Sequence, residues 1–270
     1  MLRVTTRLYG YLYYNRYVKA TFQCRMSNTF KSGLWTALLD ILFPVCCLGC
    51  GVSLGGRQPL AFCQDCMAQV CLIHAPCCTC CGKPFDKAAG ISHYCSQCMT
   101  RPYHYKRARA VVKYLPPVAK AVQDFKYRSQ TAGLSTFANL LNIHLRHSPL
   151  PEVDTIVPVP LHKQRLQQRG FNQALVLARK FFPQDLKKIA PLALERRSRT
   201  QPQTGLSRAA RNRNVKNAFA VRQPDSIQDK KVLLVDDVYT TGATVNECAR
   251  IMMRNRAREV HVLTLARAVD

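Results

Sequence analysis

Acidic side chains are scarce in this sequence. Over 270 residues, 15 Asp or Glu stand against 40 Lys or Arg, a formal net charge of +25. A field of that sign draws polyanions such as nucleic acids, phosphate-rich ligands and acidic membrane surfaces. The surplus is spread along the chain rather than gathered in one basic tail, so it suits a solvated surface as readily as a nucleic-acid-binding face. Long apolar runs are missing too. No segment approaches the roughly 20 uninterrupted apolar residues of a membrane span, and the N-terminus lacks the compact apolar stretch and small-residue cleavage site of a secretory signal. These absences predict a cytoplasmic protein. Neither G-x-G-x-x-G nor the Walker lysine pattern occurs, so ordinary dinucleotide and nucleoside-triphosphate sites have no support.

Cysteine, by contrast, is abundant and clustered. All 14 cysteines but Cys24 and Cys248 fall between Cys46 and Cys98. In a reducing compartment such density points to metal ligands rather than disulfides. Cys47 and Cys50 are followed by Cys63 and Cys66, then Cys78 and Cys81 by Cys95 and Cys98: four CxxC pairs in two similar halves, each reading as a zinc ribbon. Two cysteines separated by two residues sit on a tight turn with both thiolates aimed at one point, and a second such turn completes a tetrahedron. Four sulfur ligands leave no open position, so the zinc expected here is structural. Cys46, Cys71, Cys77 and Cys80 are left over. Cys46 can stand in for Cys47, and Cys77 with Cys80 for Cys78 with Cys81; Gly82 follows Cys81 as Gly51 follows Cys50, which favours the first assignment. Interleaved pairing of the two halves would use the same residues.

The cysteines divide the chain. Residues 43–102 form the expected double zinc ribbon and 103–270 a larger domain. Residues 1–42 form an N-terminal extension whose first 25 residues are rich in Tyr and Arg, hold no acid and show no period. An over-extended start or a basic aromatic arm touching nucleic acid are its two readings. From Tyr103 onward strands and helices alternate: strands over 107–114, 153–160, 230–238 and 259–267, helices over 116–127, 134–145, 171–182 and 243–257. That order favours a parallel sheet with right-handed crossovers, flanked by helices, whose ligands bind beyond the carboxyl ends of the strands.

The stretch "VLLVDDVYTTGAT" (232–244) lies at such an end. Thr240, Thr241, Gly242, Ala243 and Thr244 enter a helix at its N-terminus, where backbone N–H groups and the helix dipole favour an anion. Asp236 and Asp237 repel that anion and suit a neighbouring group rich in hydroxyl donors, such as a ribose, or a magnesium ion. A ribose bearing a terminal phosphate satisfies both halves of the stretch. Caps and turns also use Asp and Thr, but two adjacent aspartates followed by this hydroxyl-rich loop go beyond what a cap requires.

These 13 residues resemble the phosphoribosyl pyrophosphate loop of type I phosphoribosyltransferases. The wider chain, with its double zinc ribbon, "VPVPLHKQRLQQRGFNQA" (157–174) and "RTQPQTGLSRAARNRNVKNAFAV" (199–221), resembles the ComF/GntX family over residues 43–268. The resemblance implies a type I phosphoribosyltransferase-like fold in which Asp236 and Asp237 hold the ribose hydroxyls and Thr240 to Thr244 the 5′-phosphate. Val159, Pro160, Leu161 and His162 fall at the pyrophosphate loop. Arg165 and Arg169, unless they simply face solvent, would neutralise the diphosphate, with Arg199 as a further weak catalytic candidate. Residues 199–217 fall at the mobile loop that closes over substrate, while Ser207 to Asn217, with Arg208, Arg211 and Arg213, read equally as a basic nucleic-acid contact. The acceptor pocket lies in a variable hood that this chain does not identify, and the zinc ribbons are candidates for its position. Two structural zinc ions, magnesium with phosphoribosyl pyrophosphate, an acceptor base, single-stranded DNA and a competence helicase are the cofactors and partners the resemblance brings with it.

Overall fold

The computed structural model describes residues 45–55, 58–85, 90–127, 133–198 and 215–269. Arg199, Arg208, Arg211 and Arg213, the N-terminal extension and most of the segment read as a mobile loop lie outside the described residues. Two short helices, α1 (Gln64–Gln69) and α2 (Ser96–Thr100), belong to the cysteine-rich module. There follow β1 (Arg107–Lys113), α3 (Val118–Tyr127), α4 (Leu134–Leu145), β2 (Thr155–Pro158), α5 (Lys163–Arg169), α6 (Gln173–Phe181), β3 (Leu194–Arg196), β4 (Phe219–Val221), β5 (Lys231–Tyr239), α7 (Ala243–Arg254) and β6 (Glu259–Arg267).

Four strands form a parallel sheet in the order β1-β6-β5-β2. A parallel sheet is covered on both faces, which is why β5 and β6 read as nearly continuous apolar runs. Alternate residues divide between two cores. Val232 and Leu234 pack with Val260, Val262 and the inner face of α7, whose Val245, Cys248, Ala249 and Met252 recur at helical spacing. Leu233 and Val235 pack on the other face with Leu263, Leu265 and the buried sides of α3, α4 and α6. The strand expected over 153–160 narrows to Thr155–Pro158; beyond it Pro160 has no N–H with which to extend the ladder.

Among the elements that escaped the sequence reading, two border the β2–β5 end of the sheet. Helix α5 buries none of its residues and so shows no apolar period; His162 caps its start, the His162 Nδ1 accepting from the Gln164 N–H at 3.4 Å, and Gly170 ends it at φ +77°. The antiparallel ribbon β3–β4 has three residues per strand, too few to show alternation. The helix expected to reach 257 stops at Arg254, where the chain turns through Arg256 at φ +65°.

The cysteine module packs on the sheet rather than hanging from it. Residues 71–73 run along the outer edge of β1: the Ile73 N–H donates to Val111 O at 2.9 Å and the Lys113 N–H to Cys71 O at 2.8 Å. Farther along the same edge, the Ala108 N–H donates to Cys80 O at 2.7 Å. An edge strand is thereby sealed against other chains. The first half of the module joins the core with α3 and α4, through Cys47, Leu60, Phe62 and Cys66; the second joins the core with α7, through Cys78, Cys81, Cys95 and Cys98. The two halves therefore lie against opposite faces of the sheet.

Candidate functional site

The cysteines gather into two groups, Cys47/Cys50/Cys63/Cys66 and Cys78/Cys81/Cys95/Cys98, with the ligand atoms of each within 4.8 Å of one another. Sequential pairing is thus the arrangement present, and Cys46, Cys71, Cys77 and Cys80 stand outside both groups. Sulfur separations of 3.7 Å for Cys50 and Cys63, 3.6 Å for Cys78 and Cys98, and 3.8 Å for Cys81 and Cys95 match the edge of a tetrahedron with Zn–S bonds of about 2.3 Å, which is about 3.8 Å. Backbone N–H groups favour the thiolate at one sulfur of each group, while burial and the neighbouring sulfurs raise Cys66, Cys81 and Cys98. The N–H groups of Gly49 and Cys63 donate to Cys47 Sγ at 3.4 and 3.2 Å, and that of Cys95 to Cys78 Sγ at 3.3 Å. Burial opposes ionisation of Cys47 and Cys78, but the backbone donors outweigh it and bring both thiols down to about 6. Both groups fit structural zinc.

Beyond the carboxyl ends of β2 and β5 opens a cleft of about 800 Å³. Asp236, Asp237, Thr240, Gly242, Ala243 and Thr244 line one side, and Val159, Pro160, Leu161, Arg165 and Arg169 the other. The loop expected to take a phosphate thus faces the turn expected to take a diphosphate. Thr241 and His162 do not line the cleft: the Thr241 hydroxyl accepts from the Ala243 N–H at 3.4 Å, and His162 caps α5. No described residue of the zinc ribbons lines it either.

Charge in the cleft is balanced by groups the sequence did not single out. Lys126, at the last turn of α3, holds Asp237 Oδ1 at 3.0 Å, and the Asp237 N–H donates to Asp236 Oδ1 at 2.9 Å. Burial, and then repulsion by Asp237, push the Asp236 carboxyl up to about 7. Lys126 is half-buried, which disfavours its charge, yet Asp237 holds its ammonium above the usual lysine value. Arg196 on β3 is buried, its guanidinium 5.2 Å from the Phe219 ring centre, and burial with the nearby charge of Arg165 lowers its pKa. Arg169 stacks over Tyr127 at 4.9 Å and donates to Gln173 Oε1 at 3.1 Å. Asn172 caps α6 through the Ala174 N–H at 3.0 Å and donates to Val159 O at 3.1 Å, which ties the 159–162 turn to the helix behind it. Lys126, Arg196 and Asn172 meet the aspartates and the turn only through the fold, so no local pattern marks them.

An acidic pair at the end of a central parallel strand, a Gly/Thr loop opening a helix, and two four-cysteine centres define a phosphoribosyltransferase-type domain joined to a double zinc ribbon. Comparison with known proteins agrees. The double zinc ribbon domain matches residues 38–99, and the phosphoribosyl transferase domain residues 166–269. The DNA utilization protein YhgH of Escherichia coli is 33% identical over 222 residues, covering 79% of this chain and 95% of its own. Competence protein F of Haemophilus influenzae is 31% identical over 76% of this chain and 90% of its own, and competence protein ComFC of Bacillus subtilis 25% identical over 76% and 84%. The chain belongs to this family, the ComF family of double-zinc-ribbon proteins with a phosphoribosyltransferase-type domain.

Proposed function

We propose that the cleft binds phosphoribosyl pyrophosphate with magnesium and transfers its phosphoribosyl group to a nitrogenous acceptor. The observation that carries this reading is the convergence of Asp236, Asp237, Thr240, Gly242, Ala243 and Thr244 on one cleft with Val159, Pro160, Leu161, Arg165 and Arg169. Each part suits one part of the ligand. Hydroxyls and backbone N–H groups of the loop, at the positive end of α7, take the 5′-phosphate. The carboxylates of Asp236 and Asp237 accept hydrogen bonds from the ribose 2′- and 3′-hydroxyls, which requires Lys126 to release Asp237. Arg165, Arg169 and Arg196 take up the charge of the diphosphate through charge-assisted contacts. The paired carboxylate oxygens also suit a hard divalent cation, and magnesium when bound supplies neutralisation of the diphosphate.

In the reaction the bond between the anomeric carbon and the diphosphate oxygen breaks, the leaving group keeping the electron pair. A bond from the acceptor nitrogen forms, and the acceptor loses a proton to solvent. The chain contributes by orienting ribose and diphosphate and by stabilising the separating charges. Calorimetric titration of phosphoribosyl pyrophosphate with magnesium into the zinc-loaded protein tests the reading. Binding that is present in the unaltered chain and lost in the Asp236→Asn, Asp237→Asn double variant supports it; equal binding in both sinks it.

A second reading rests on the net charge of +25 and on relatives whose names record DNA utilization and competence. In it the zinc ribbons and basic surface hold single-stranded DNA, a helicase of DNA uptake is the protein partner, and the phosphoribosyl site senses a metabolite or is vestigial. The ribbon exposes Tyr94 and Met99 at 55% and 74%, and exposed aromatic rings are where bases stack. Affinity for an oligonucleotide that falls steeply with salt, less so after Arg208→Gln, Arg211→Gln and Arg213→Gln, supports it; binding that is absent or indifferent to salt removes it. Both readings place the protein in the cytoplasm.

A further inference from the structure

The glycine of the 240–244 loop is held from behind by groups that reach the second zinc centre. Gly242 has φ +78°, and a methyl group on its Cα would collide with the Tyr239 hydroxyl. A tyrosine hydroxyl is ordinarily the yielding end of a side chain, but this one is pinned. It shares a hydrogen bond of 2.8 Å with the Tyr105 hydroxyl, and the Arg267 guanidinium lies 4.2 Å from the centre of its ring. Both phenols are buried, and burial raises their pKa values, so each stays protonated at neutral pH. Arg267 is buried as well. It donates to Cys81 O at 2.7 Å and reaches Cys81 Sγ at 3.7 Å. Cys81 is one of the four sulfurs of the second centre. An unbroken series of contacts therefore runs from a zinc-ligating cysteine through Arg267 and Tyr239 to the loop glycine.

We infer that Arg267 and Tyr239 are positioning residues that make the backbone of the 240–244 loop depend on the second zinc centre. Arg267 does not line the cleft, whereas Tyr239 lies at its wall beside Val238 and Thr240, and its role here is exerted through the Gly242 backbone. With Cys81 fixed on a metal, its carbonyl and sulfur hold Arg267, Arg267 and Tyr105 hold the Tyr239 ring, and the ring sets how far the Gly242 backbone can retreat from the cleft. A guanidinium stacked on an aromatic ring in a buried setting keeps one geometry. This explains why an arginine ends β6, where a buried apolar residue would otherwise serve. The identity of the anion rests on the phosphoribosyl reading; the mechanical link does not.

The test uses the full chain, zinc-loaded, as Arg267→Met, Arg267→Lys and Tyr239→Phe variants, with metal content measured on each. Backbone hydrogen exchange is followed at residues 240–246 and, as an internal reference, at residues 232–235 of β5. Calorimetry with phosphoribosyl pyrophosphate and magnesium runs in parallel. In Arg267→Met and Tyr239→Phe that retain both zinc ions, exchange in 240–246 rises roughly tenfold while 232–235 is unchanged, and ligand affinity falls by a similar factor. Arg267→Lys, which keeps the charge but not the planar fork, falls between. Zinc-replete variants with unchanged exchange in 240–246, or with equal acceleration in 232–235, overturn the inference, the latter by showing general loosening. Should Arg267→Met lose zinc or fail to fold, the exchange of residues 240–246 in Tyr239→Phe decides; its affinity does not, because Tyr239 lines the cleft. Failure of the unaltered protein to bind phosphoribosyl pyrophosphate would refute the ligand reading alone, and the exchange comparison would still decide the link.

Discussion

Asp236 sits where burial and a neighbouring carboxylate both oppose its charge, and its carboxyl is pushed up to about 7. A ligand that needs the carboxylate must drive off a proton when it binds near or below that pH. Affinity for phosphoribosyl pyrophosphate with magnesium should therefore rise by up to about tenfold per pH unit below about 7 and level off above it. Stability responds to the same group in the opposite sense. Because the folded value lies above the unfolded value of 3.8, the folded state binds the extra proton between the two; the contribution is fully present below 3.8 and lost as pH rises through about 7. Calorimetry from pH 6 to 8 checks the first slope, which Asp236→Asn should abolish; a flat profile in the unaltered chain would contradict the assignment. The aspartates were legible because they are adjacent and precede a hydroxyl-rich loop. Lys126 and Arg196, which set their charge, were not, since one lies on an amphipathic helix and the other on a three-residue strand, and each reaches the cleft only after the chain has folded.

At the scale of elements, the β5–α7 junction is the best-defined unit. A buried strand ends in acids, a glycine takes the left-handed conformation, and a helix begins at that glycine. Gly242→Ala asks the loop both to place a side chain at φ +78° and to displace the pinned Tyr239 ring. The backbone alone costs about 1–2 kcal/mol. The variant should keep its zinc and its sheet, melt a few degrees lower, and bind phosphoribosyl pyrophosphate at least about tenfold more weakly. An alanine variant with undiminished affinity would mean that the loop backbone does not approach the ligand. The alternation of strands and helices was visible because buried parallel strands are uniformly apolar and α7 carries a regular buried stripe. Helix α5 was invisible for the converse reason: it buries nothing, and its limits are set by His162 and Gly170 rather than by a period.

At the scale of the whole molecule, the zinc ribbons and the sheet form one packed body. The cysteine spacing announced two centres, and their composition is as expected; what spacing does not contain is where they dock. The ribbons lie against opposite faces of the sheet, seal the edge of β1, and reach the loop at β5 from behind through Arg267. Zinc binding is worth on the order of 10–16 kcal/mol in small finger peptides, so ordering the module and covering the sheet edge are coupled. The net charge of +25 would attract any polyphosphate, specific or not. The decisive measurement is therefore calorimetric titration of the zinc-loaded full chain with diphosphate, ribose 5-phosphate and phosphoribosyl pyrophosphate, each with magnesium, at one ionic strength. If the cleft holds phosphate, ribose and diphosphate at once, phosphoribosyl pyrophosphate binds roughly 100-fold more tightly than either fragment and displaces both. Phosphoribosyl pyrophosphate that binds no tighter than diphosphate, with an affinity that fades as salt is raised, would mean that the basic surface attracts the anion without a site for the ribose.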